Sequence, residues 1–242
     1  MSIPKHRCVP YKGRELSVFA RATHWKSYWA AQTRPYLFGD VLEVGAGCGA
    51  STEAVFDPNC RRWVCLEPDP KLAQRLADGG IMRRWSSKCE VFSGTTADLP
   101  QQKAFDTILY IDVLEHIADD RAEIHRAKVL LRRGGRIVIL APAHQWLFSD
   151  FDESIGHCRR YSRRMLRDLL DKDFICERLL YLDSAGLCAS LGNRLCLRRS
   201  LPTEKQIWFW DHVLVRCSTV LDRLFLGAIG KSVLGIWRKE LS

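Results

Sequence analysis

The stretch VLEVGAGCG, residues 41–49, combines a short apolar run with three glycines at alternate positions. Glycine has no Cβ, so such a loop can approach a ligand closely and adopt positive φ. The spacing Gly45-x-Gly47-x-Gly49 differs from the GxGxxG of dinucleotide-binding folds, and no lysine follows it as in a phosphate-binding P-loop. Glu43 places a carboxylate close to the loop, which favours a cationic ligand over a pyrophosphate.

Short apolar runs alternate with amphipathic segments on both sides of this loop. Predicted strands cover residues 41–44, 63–67, 90–92, 105–111, 136–140, 174–182 and 232–239. Predicted helices cover residues 14–34, 51–56, 70–77, 119–131 and 162–170. Almost purely apolar strands separated by helices indicate a parallel sheet covered on both faces. We therefore predict an α/β fold with a doubly wound, mostly parallel sheet.

The length of 242 residues suits one domain, which we place over residues 1–242 with a core of about 36–182 plus 231–240. Residues 184–230 are too long for a hairpin loop and contain two helical patterns, at about 185–197 and 207–225. We expect this helical insertion, together with the N-terminal helix 14–34, to stand over the end of the sheet.

Composition limits the class of protein. With 47% hydrophobic and 27% charged residues, the chain should bury a core. No apolar run is long enough for a membrane span, and the first residues lack the apolar segment of a signal peptide. The ten cysteines are scattered without metal-site spacing, which favours reduced thiols and a cytoplasmic protein. A net charge of +9 favours anionic partners: nucleic acid, a phospholipid surface or an acidic substrate.

Carboxylates follow successive predicted strands. Glu67 ends the second strand, Asp98 follows the third and Asp112 follows the fourth. Because the carboxyl ends of parallel strands meet at one edge of a sheet, these acids and Glu43 should converge on one crevice. An acid at the end of the second strand typically binds ribose hydroxyls in this architecture.

Five motifs, taken together, resemble the class I S-adenosylmethionine-dependent methyltransferases. They are VLEVGAGCG, CLEPD, GTTADLP, FDTILYIDVLEHI and LLRRGGRIVILAP, and they cover about residues 38–142. The resemblance implies a Rossmann-like sheet of seven strands in the order 3-2-1-4-5-7-6, with the last strand antiparallel. It also implies S-adenosylmethionine as the methyl donor.

The resemblance further implies a set of donor-binding residues at the strand ends. From the methionyl end to the adenine they are Asp112 and Val113, then Gly45, Ala46, Gly47 and Gly49, then Glu67 with Pro68, and finally Ala97 and Asp98. Glu67 would bind both ribose hydroxyls, and Asp98 the exocyclic amine of the adenine. We count Glu43, beneath the loop, with this donor-binding set.

Methyl transfer requires alignment of the acceptor and, for some acceptors, removal of a proton. Histidine titrates near neutrality and suits that step. His116, His144 and His157 all follow predicted strands; a structural histidine bonded to the backbone is the alternative for each. We take His157 and His116 as the catalytic candidates. Residues 150–161 around His157 resemble a substrate lid, in which Arg159 or Arg160 would clamp an acidic group of the acceptor.

The motif DVLEH also raises metal binding. It is similar to a motif in some quinone-biosynthesis O-methyltransferases, in which acids and a histidine hold magnesium; Asp112, Glu115 and His116 would be the equivalents. Because Asp112 is already assigned to the donor, we predict no metal.

The first functional hypothesis is methylation of a small molecule. The acceptor would be a hydrophobic or acidic metabolite, natural product or lipid-linked compound, methylated on oxygen in a cap formed by helix 14–34 and the insertion. Trp25, Tyr28 and Trp29 would line that cap. The apolar and cationic pattern of the insertion leaves open whether it packs on the sheet or makes a peripheral membrane contact.

Two other classes of function stay open. An RNA or other nucleic-acid methyltransferase fits the net charge and the arginine-rich stretches at 159–167 and 193–199, but the fourth strand lacks the aromatic motif that grips a flipped base. The third hypothesis is a non-catalytic scaffold that binds the donor and acts through a partner. The sequence does not determine the oligomeric state.

Overall fold

The structure, a computed structural model, describes residues 21–102, 104–170, 172–196 and 203–241. The beginning of the predicted helix 14–34, including Phe19, lies outside these residues; the described part is the helix Thr23–Thr33. It packs two tryptophans, Trp25 and Trp29, into the core.

The strands are β1 (Asp40–Val44), β2 (Arg62–Glu67), β3 (Cys89–Ser93), β4 (Phe105–Ile111), β5 (Leu131–Pro142), β6 (Phe174–Leu182) and β7 (Ser232–Lys239). The α-helices are α1 (Thr23–Thr33), α2 (Ala50–Val55), α3 (Pro70–Ala77), α4 (Gly80–Arg84), α5 (Asp120–Leu130), α6 (Asp150–Ser154), α7 (Arg163–Leu169), α8 (Ser184–Cys196), α9 (Glu204–Phe209) and α10 (Val215–Leu224). A π-helical turn, Trp210–Leu214, joins α9 to α10 without a break.

The seven strands form one sheet in the order β3-β2-β1-β4-β5-β7-β6, which confirms the predicted topology. β7 is antiparallel to both of its neighbours, and the other pairs are parallel. Because β7 runs in the opposite direction, its first residue, Ser232, pairs with Pro142 at the end of β5. The residues just before β7 therefore lie at the same edge as the ends of the parallel strands.

The core has two layers because neighbouring residues of the central strands point to opposite faces of the sheet. Val41 lies in the layer that includes Trp29 of α1, and Leu42 in the layer that includes Ile124 of α5 and Leu166 of α7. Every residue of β1 is buried. Burial on both faces explains why the central strands are predominantly apolar.

Strand β5 begins earlier than its predicted start at residue 136. The chain leaves α5 at Leu130 and enters the sheet at once, so the pair Gly134 and Gly135 lies inside the strand. The pairing register with β4 shifts at this point. A Cβ on Gly135 would stand 2.9 Å from the backbone oxygens of Arg132 and Asp106, so the irregular backbone requires glycine here.

Two buried acids fasten the insertion to the rest of the molecule. Asp211 accepts hydrogen bonds from the backbone N–H groups of Trp25 (2.8 Å) and His24 (3.2 Å) at the start of α1. Asp222 accepts hydrogen bonds from the Tyr28 hydroxyl (2.8 Å) and from the Asp183 N–H (2.8 Å) at the end of β6. The insertion is therefore fixed over one end of the sheet. None of the helices in the described part of the chain has the length and apolar character needed to cross a bilayer.

Candidate functional site

The glycine loop after β1 adopts left-handed backbone conformations, with φ of 68° at Gly45, 57° at Gly47 and 85° at Gly49. A Cβ on Gly45 would stand 2.7 Å from Val113 Cγ2, and one on Gly49 would stand 2.5 Å from Leu76 Cδ1. Nothing lies within 4 Å of the position that a Cβ on Gly47 would take. The outer glycines therefore allow close packing, and the middle one presents bare backbone to open space. Ala46, between them, is buried.

Glu67 at the end of β2 is bound to this loop. Its Oε2 accepts a hydrogen bond from the Gly47 N–H at 2.8 Å, and its Oε1 accepts one from the Asp69 N–H at 2.9 Å. Burial raises the pKa of this carboxyl group, although both backbone hydrogen bonds oppose the shift. Each oxygen keeps a lone pair, so a fixed carboxylate beside bare backbone can accept two further hydrogen bonds. Pro68, next to it, is exposed.

Ala97 and Asp98 lie in a 3₁₀ turn after β3, and both are exposed. Asp98 Oδ2 accepts hydrogen bonds from the Thr95 N–H and the Thr95 hydroxyl, each at 2.8 Å. These bonds lower the pKa of Asp98. The carboxylate is thus ionised and held in place, and its other oxygen has no hydrogen-bond partner among the described residues.

Asp112 follows β4 with a φ of 53° and donates its N–H to the Leu140 carbonyl at 2.8 Å. The residue is exposed at this edge of the sheet, although neighbouring protein groups desolvate its carboxyl group. That desolvation raises its pKa to about 6, against the opposing charges of His157 and Lys231. Val113, the next residue, packs against the glycine loop.

Glu43 lies beneath the crevice surface. It is 1% exposed, and its Oε2 accepts a hydrogen bond from Trp63 Nε1 at 2.9 Å. Its Oε1 has no partner. Burial raises the pKa of Glu43 to about 7. The carboxyl group is therefore only partly charged near neutrality.

Three non-glycine residues with left-handed backbone follow strands that run in the same direction: Asp112 after β4, His144 after β5 and Asp183 after β6. Their φ angles are 53°, 67° and 66°. Such conformations are uncommon outside glycine and cluster at functional sites. His144 Nε2 lies 2.9 Å from the Gly230 carbonyl oxygen, which supports the structural role for this histidine.

His157 is oriented by a buried ion pair. Its Nδ1 lies 2.8 Å from Asp152 Oδ1, and Arg160 donates to both oxygens of Asp152 at 2.9 and 3.0 Å. Burial opposes ionisation of Asp152, but the bonds from His157 and Arg160 outweigh it and lower the pKa to about 2. A carboxylate on Nδ1 favours the tautomer with the proton on that nitrogen and leaves Nε2, 3.9 Å from Glu115 Oε1, as an acceptor.

His116 and Glu115 complete this cluster. The rings of His116 and His157 are 4.6 Å apart, and burial lowers the pKa of His116 to about 4, so it is neutral at physiological pH. Glu115 is fully buried, and neither of its carboxylate oxygens has a hydrogen-bond partner. Burial, and then the nearby charge of Asp112, raises the pKa of Glu115 well above its ordinary value.

The structure brings together ligand atoms that could hold a metal ion. Atoms of Glu115, His116 and His157 lie within 4.8 Å of one another. This set differs from the equivalents expected from DVLEH, because His157 stands where Asp112 was expected. A second set lies between α1 and the insertion; it combines His24 of α1 with Asp211 and His212, and Asp211 is already bonded to α1.

The expected arginine clamp is not free to bind an acceptor. Arg160 is occupied by Asp152, and Arg159 donates to the Ile117 and Ala118 carbonyls at 2.9 and 2.6 Å. Tyr161, 1% exposed, is likewise fastened at the end of this segment. Both arginines thus satisfy carbonyl and carboxylate groups of the protein, which disfavours the predicted clamp. The lid over residues 150–161 stays a prediction.

A cation that the sequence analysis missed lies at the same edge of the sheet, near Asp112 and Asp183. Lys231 precedes β7, and its Nζ is 5.1 Å from the centroid of the Trp210 ring. Burial lowers the pKa of this lysine. It forms no ion pair with the described residues. Its position follows from the antiparallel direction of β7, which could have indicated that residues just before that strand reach the ligand edge.

Comparison with known proteins agrees with this geometry. A family profile described as a methyltransferase domain matches residues 18–173. The chain is 28% identical to demethylmenaquinone methyltransferase of Tropheryma whipplei over 132 residues, which are 52% of this chain and 51% of that protein. It is 27% identical to tRNA U34 carboxymethyltransferase of Idiomarina loihiensis over 124 residues, 48% of this chain and 38% of that protein. The chain therefore spans about half or less of the length of these curated relatives.

Solved structures share the fold at low sequence identity. The N-methyltransferase NodS from Bradyrhizobium japonicum WM9, in complex with S-adenosyl-L-homocysteine, superposes with a TM-score of 0.57 at 15% identity, covering 90% of this chain and 86% of that one. YcgJ from Bacillus subtilis superposes with a TM-score of 0.58 at 16% identity, covering 90% and 100%.

Proposed function

The chain belongs to the methyltransferase domain family, and on that premise we propose that it transfers a methyl group from S-adenosylmethionine to an oxygen of a small hydrophobic or acidic acceptor. The observation that carries the proposal is the bare backbone at Gly47, which faces open space while its N–H holds Glu67. A carboxylate fixed at a glycine loop is suited to a ribose whose nucleoside lies against that backbone.

The residues at the strand ends fit this donor. Glu67 has a free lone pair on each oxygen for the ribose hydroxyls, and Asp98 has a free oxygen on the adenine side. Asp112 stands at the methionyl end, opposite the loop. The donor supplies a methyl group already activated by a positively charged sulfur. The protein's task is to bind and align both partners and to exclude water, which can contribute several kcal/mol.

On the acceptor side, we assign the proton-handling role to His157, with His116 beside it. Asp152 orients His157, so its Nε2 can take a proton from an acceptor hydroxyl. His116, with a pKa of about 4, stays neutral and can accept a hydrogen bond. The desolvated ammonium of Lys231 replaces the arginines as the group that would meet an acidic substituent.

The relatives favour two classes of acceptor. The relative named for demethylmenaquinone favours a small hydrophobic acceptor, and the apolar insertion agrees with it. The relative named for tRNA, with the net charge of +9, supports RNA as the second candidate. Incubating the protein with donor labelled in the methyl group and with lipid extract, total RNA or small hydroxylated aromatics separates these classes. Label in RNA alone would contradict the small-molecule assignment, and donor binding without any transfer would indicate a scaffold.

Replacing Glu67 tests the donor site. We expect Glu67→Ala to weaken binding of S-adenosylhomocysteine by about 10- to 100-fold in calorimetry, because two charge-assisted hydrogen bonds are lost. Glu67→Gln keeps the shape and should lose less. The control is Glu90→Ala, an exposed carboxylate on β3 that pairs with Arg62. Unchanged affinity in a folded Glu67→Ala variant would remove the crevice as the donor site.

A further inference from the structure

The continuous helical segment from α9 through α10, together with the following turn, exposes an unusual amount of apolar surface. Eight of the fourteen large hydrophobic side chains that are exposed in the described residues lie between residues 208 and 229. They are Trp208, Phe209, Val213, Val220, Leu224, Phe225, Leu226 and Ile229. We call this surface the outer face. Such a concentration of exposed apolar side chains on one segment is typical of an interaction site.

Most acidic and basic side chains of the same segment lie on different sides of it. Its acids Asp211 and Asp222 point inward, are buried and bind α1 and the end of β6. Its exposed basic residues are Lys205, Arg216 and Arg223, of which Arg216 contacts His24 Nε2 of α1 at 2.8 Å. The remaining acid, Glu204, is exposed at the start of α9. The outer face is therefore apolar and cationic, and two of the segment's three acids are turned into the molecule.

We propose that the outer face docks on a bilayer surface that carries anionic headgroups. An interfacial helix combines an apolar stripe, flanking Lys and Arg, and Trp at the headgroup level. The segment Glu204–Leu224 would lie flat over about 30 Å. Anionic lipids supply the charge that complements Lys205 and Arg223.

The two other occupants fit this face less well. Nucleic acid would pair with the cations, but the stripe of Val220 and Leu224 would find no apolar partner among phosphates. A second copy of the chain would bring identical patches together across a two-fold axis, which sets like charges near one another. A bilayer satisfies the apolar and the cationic side chains at once.

The inner side of the same segment reaches the crevice. Trp210 donates its Nε1–H to Asp183 at 2.7 Å, and its ring lies over Lys231. A bilayer bound to the outer face would thus be one helix away from the acceptor side. That placement favours an acceptor embedded in the lipid. This conclusion about the acceptor rests on the proposed function, whereas the docking of the outer face does not depend on it.

Vesicle co-sedimentation tests the docking. The probes are vesicles of phosphatidylcholine alone and of equal parts phosphatidylcholine and phosphatidylglycerol. We expect binding to the mixed vesicles only. The double variant Trp208→Ser, Leu224→Ser should bind at least about tenfold more weakly, because its apolar anchors are lost. Arg223→Glu should weaken binding about tenfold or more, an effect that added salt removes.

Two control variants separate these effects from the nonspecific effect of losing an apolar or a positively charged side chain. Ile175→Ser removes an exposed apolar side chain from β6, and Arg75→Glu makes the same charge change on α3, beside the β2–β3 edge of the sheet. Both should bind mixed vesicles as the unaltered chain does. S-adenosylhomocysteine affinity, measured on every variant, should stay constant, so a failed donor site and a failed docking surface give different results.

Three results would overturn the proposal. The first is equal binding by the unaltered chain and the Trp208→Ser, Leu224→Ser variant. The second is no vesicle binding together with a dimer, seen by light scattering, that this variant converts to monomer; the face would then join two copies. The third is salt-sensitive RNA binding that depends on Arg223 while vesicles are not bound.

Discussion

Gly47 is the residue at which the donor site can be tested with the least disturbance to the fold. Its missing Cβ leaves open space, whereas Cβ atoms at Gly45 or Gly49 would strike neighbours. We expect Gly47→Ala to cost about 1–2 kcal/mol through its φ of 57° while still folding. S-adenosylhomocysteine affinity should fall more than about tenfold, because the new methyl group fills the space for the ligand.

Gly80→Ala is the matched control for that substitution. Gly80 also has nothing within 4 Å of its Cβ position, but it lies in α4 and its φ is not left-handed. Alanine there should leave affinity unchanged and slightly increase stability. If both variants bound the ligand as the unaltered chain does, the glycine loop would not be the cradle.

The buried carboxyl of Glu43 makes stability depend on pH. Its pKa rises from 4.5 to about 7 on folding, so it binds a proton more tightly in the folded chain. Its stabilising contribution to the free energy of unfolding is fully present below about pH 4.5 and is lost as pH rises through about 7. Between pH 5 and pH 8 the free energy of unfolding should fall by on the order of 2–3 kcal/mol more in the unaltered chain than in Glu43→Gln.

Urea unfolding at the two pH values measures this difference. The amide oxygen that Glu43→Gln introduces can still accept the Trp63 hydrogen bond, so the comparison isolates ionisation. Comparing the variant with the unaltered chain also cancels the opposite effect of His116, whose pKa is lowered. Glu90→Gln, at an exposed site, should follow the unaltered chain. A parallel pH dependence of Glu43→Gln and the unaltered chain would contradict the raised pKa.

At the scale of elements, acidic side chains of the insertion hold it in place by accepting hydrogen bonds from distant segments. Asp222 alone accepts from the Tyr28 hydroxyl and from the N–H groups of Asp183 and Ser184. Asp222→Ala would leave three buried donors unpaired and should cost about 2–4 kcal/mol in chemical unfolding. Asp168→Ala, on the exposed side of α7, should cost little; equal losses would show that Asp222 is not an anchor.

Local pattern predicted the elements well where the chain has one strong periodicity. The bounds predicted for β6 and β7, 174–182 and 232–239, are those observed, since each is an apolar run with clear breaks. The start of β5 was missed because a glycine pair usually marks a turn, whereas here it is an irregularity within a strand. Only the neighbouring strand reveals that difference.

At the scale of the whole molecule, the resemblance supplied the strand order, and the structure confirms it. The acids at the strand ends follow from that order. Local sequence pattern could not predict the residues whose roles depend on contacts that form only in the folded chain. Asp152 is recognised only through His157 and Arg160, and Lys231 only through the reversed direction of β7. Sequence neighbours do not record such contacts.

Ligand binding should stabilise the whole molecule, because the crevice joins both halves of the sheet. At a concentration of S-adenosylhomocysteine about 100 times its Kd, the gain is about 2.7 kcal/mol, or roughly 5–10 °C in Tm for a chain of this size. Thermal unfolding with and without ligand measures it. NAD⁺ at the same concentration is the control, and an equal shift with NAD⁺ would indicate a dinucleotide site.

The left-handed residues Asp112, His144 and Asp183 restrict which substitutions this edge of the sheet can tolerate. Only glycine, and to a lesser degree asparagine or aspartate, takes that backbone conformation readily. In a saturation library, valine or isoleucine at these three positions would be depleted even where volume and polarity suited the ligand. Variants with a different acceptor preference would therefore carry their substitutions at other positions along this edge. The backbone conformation of the edge would stay the same.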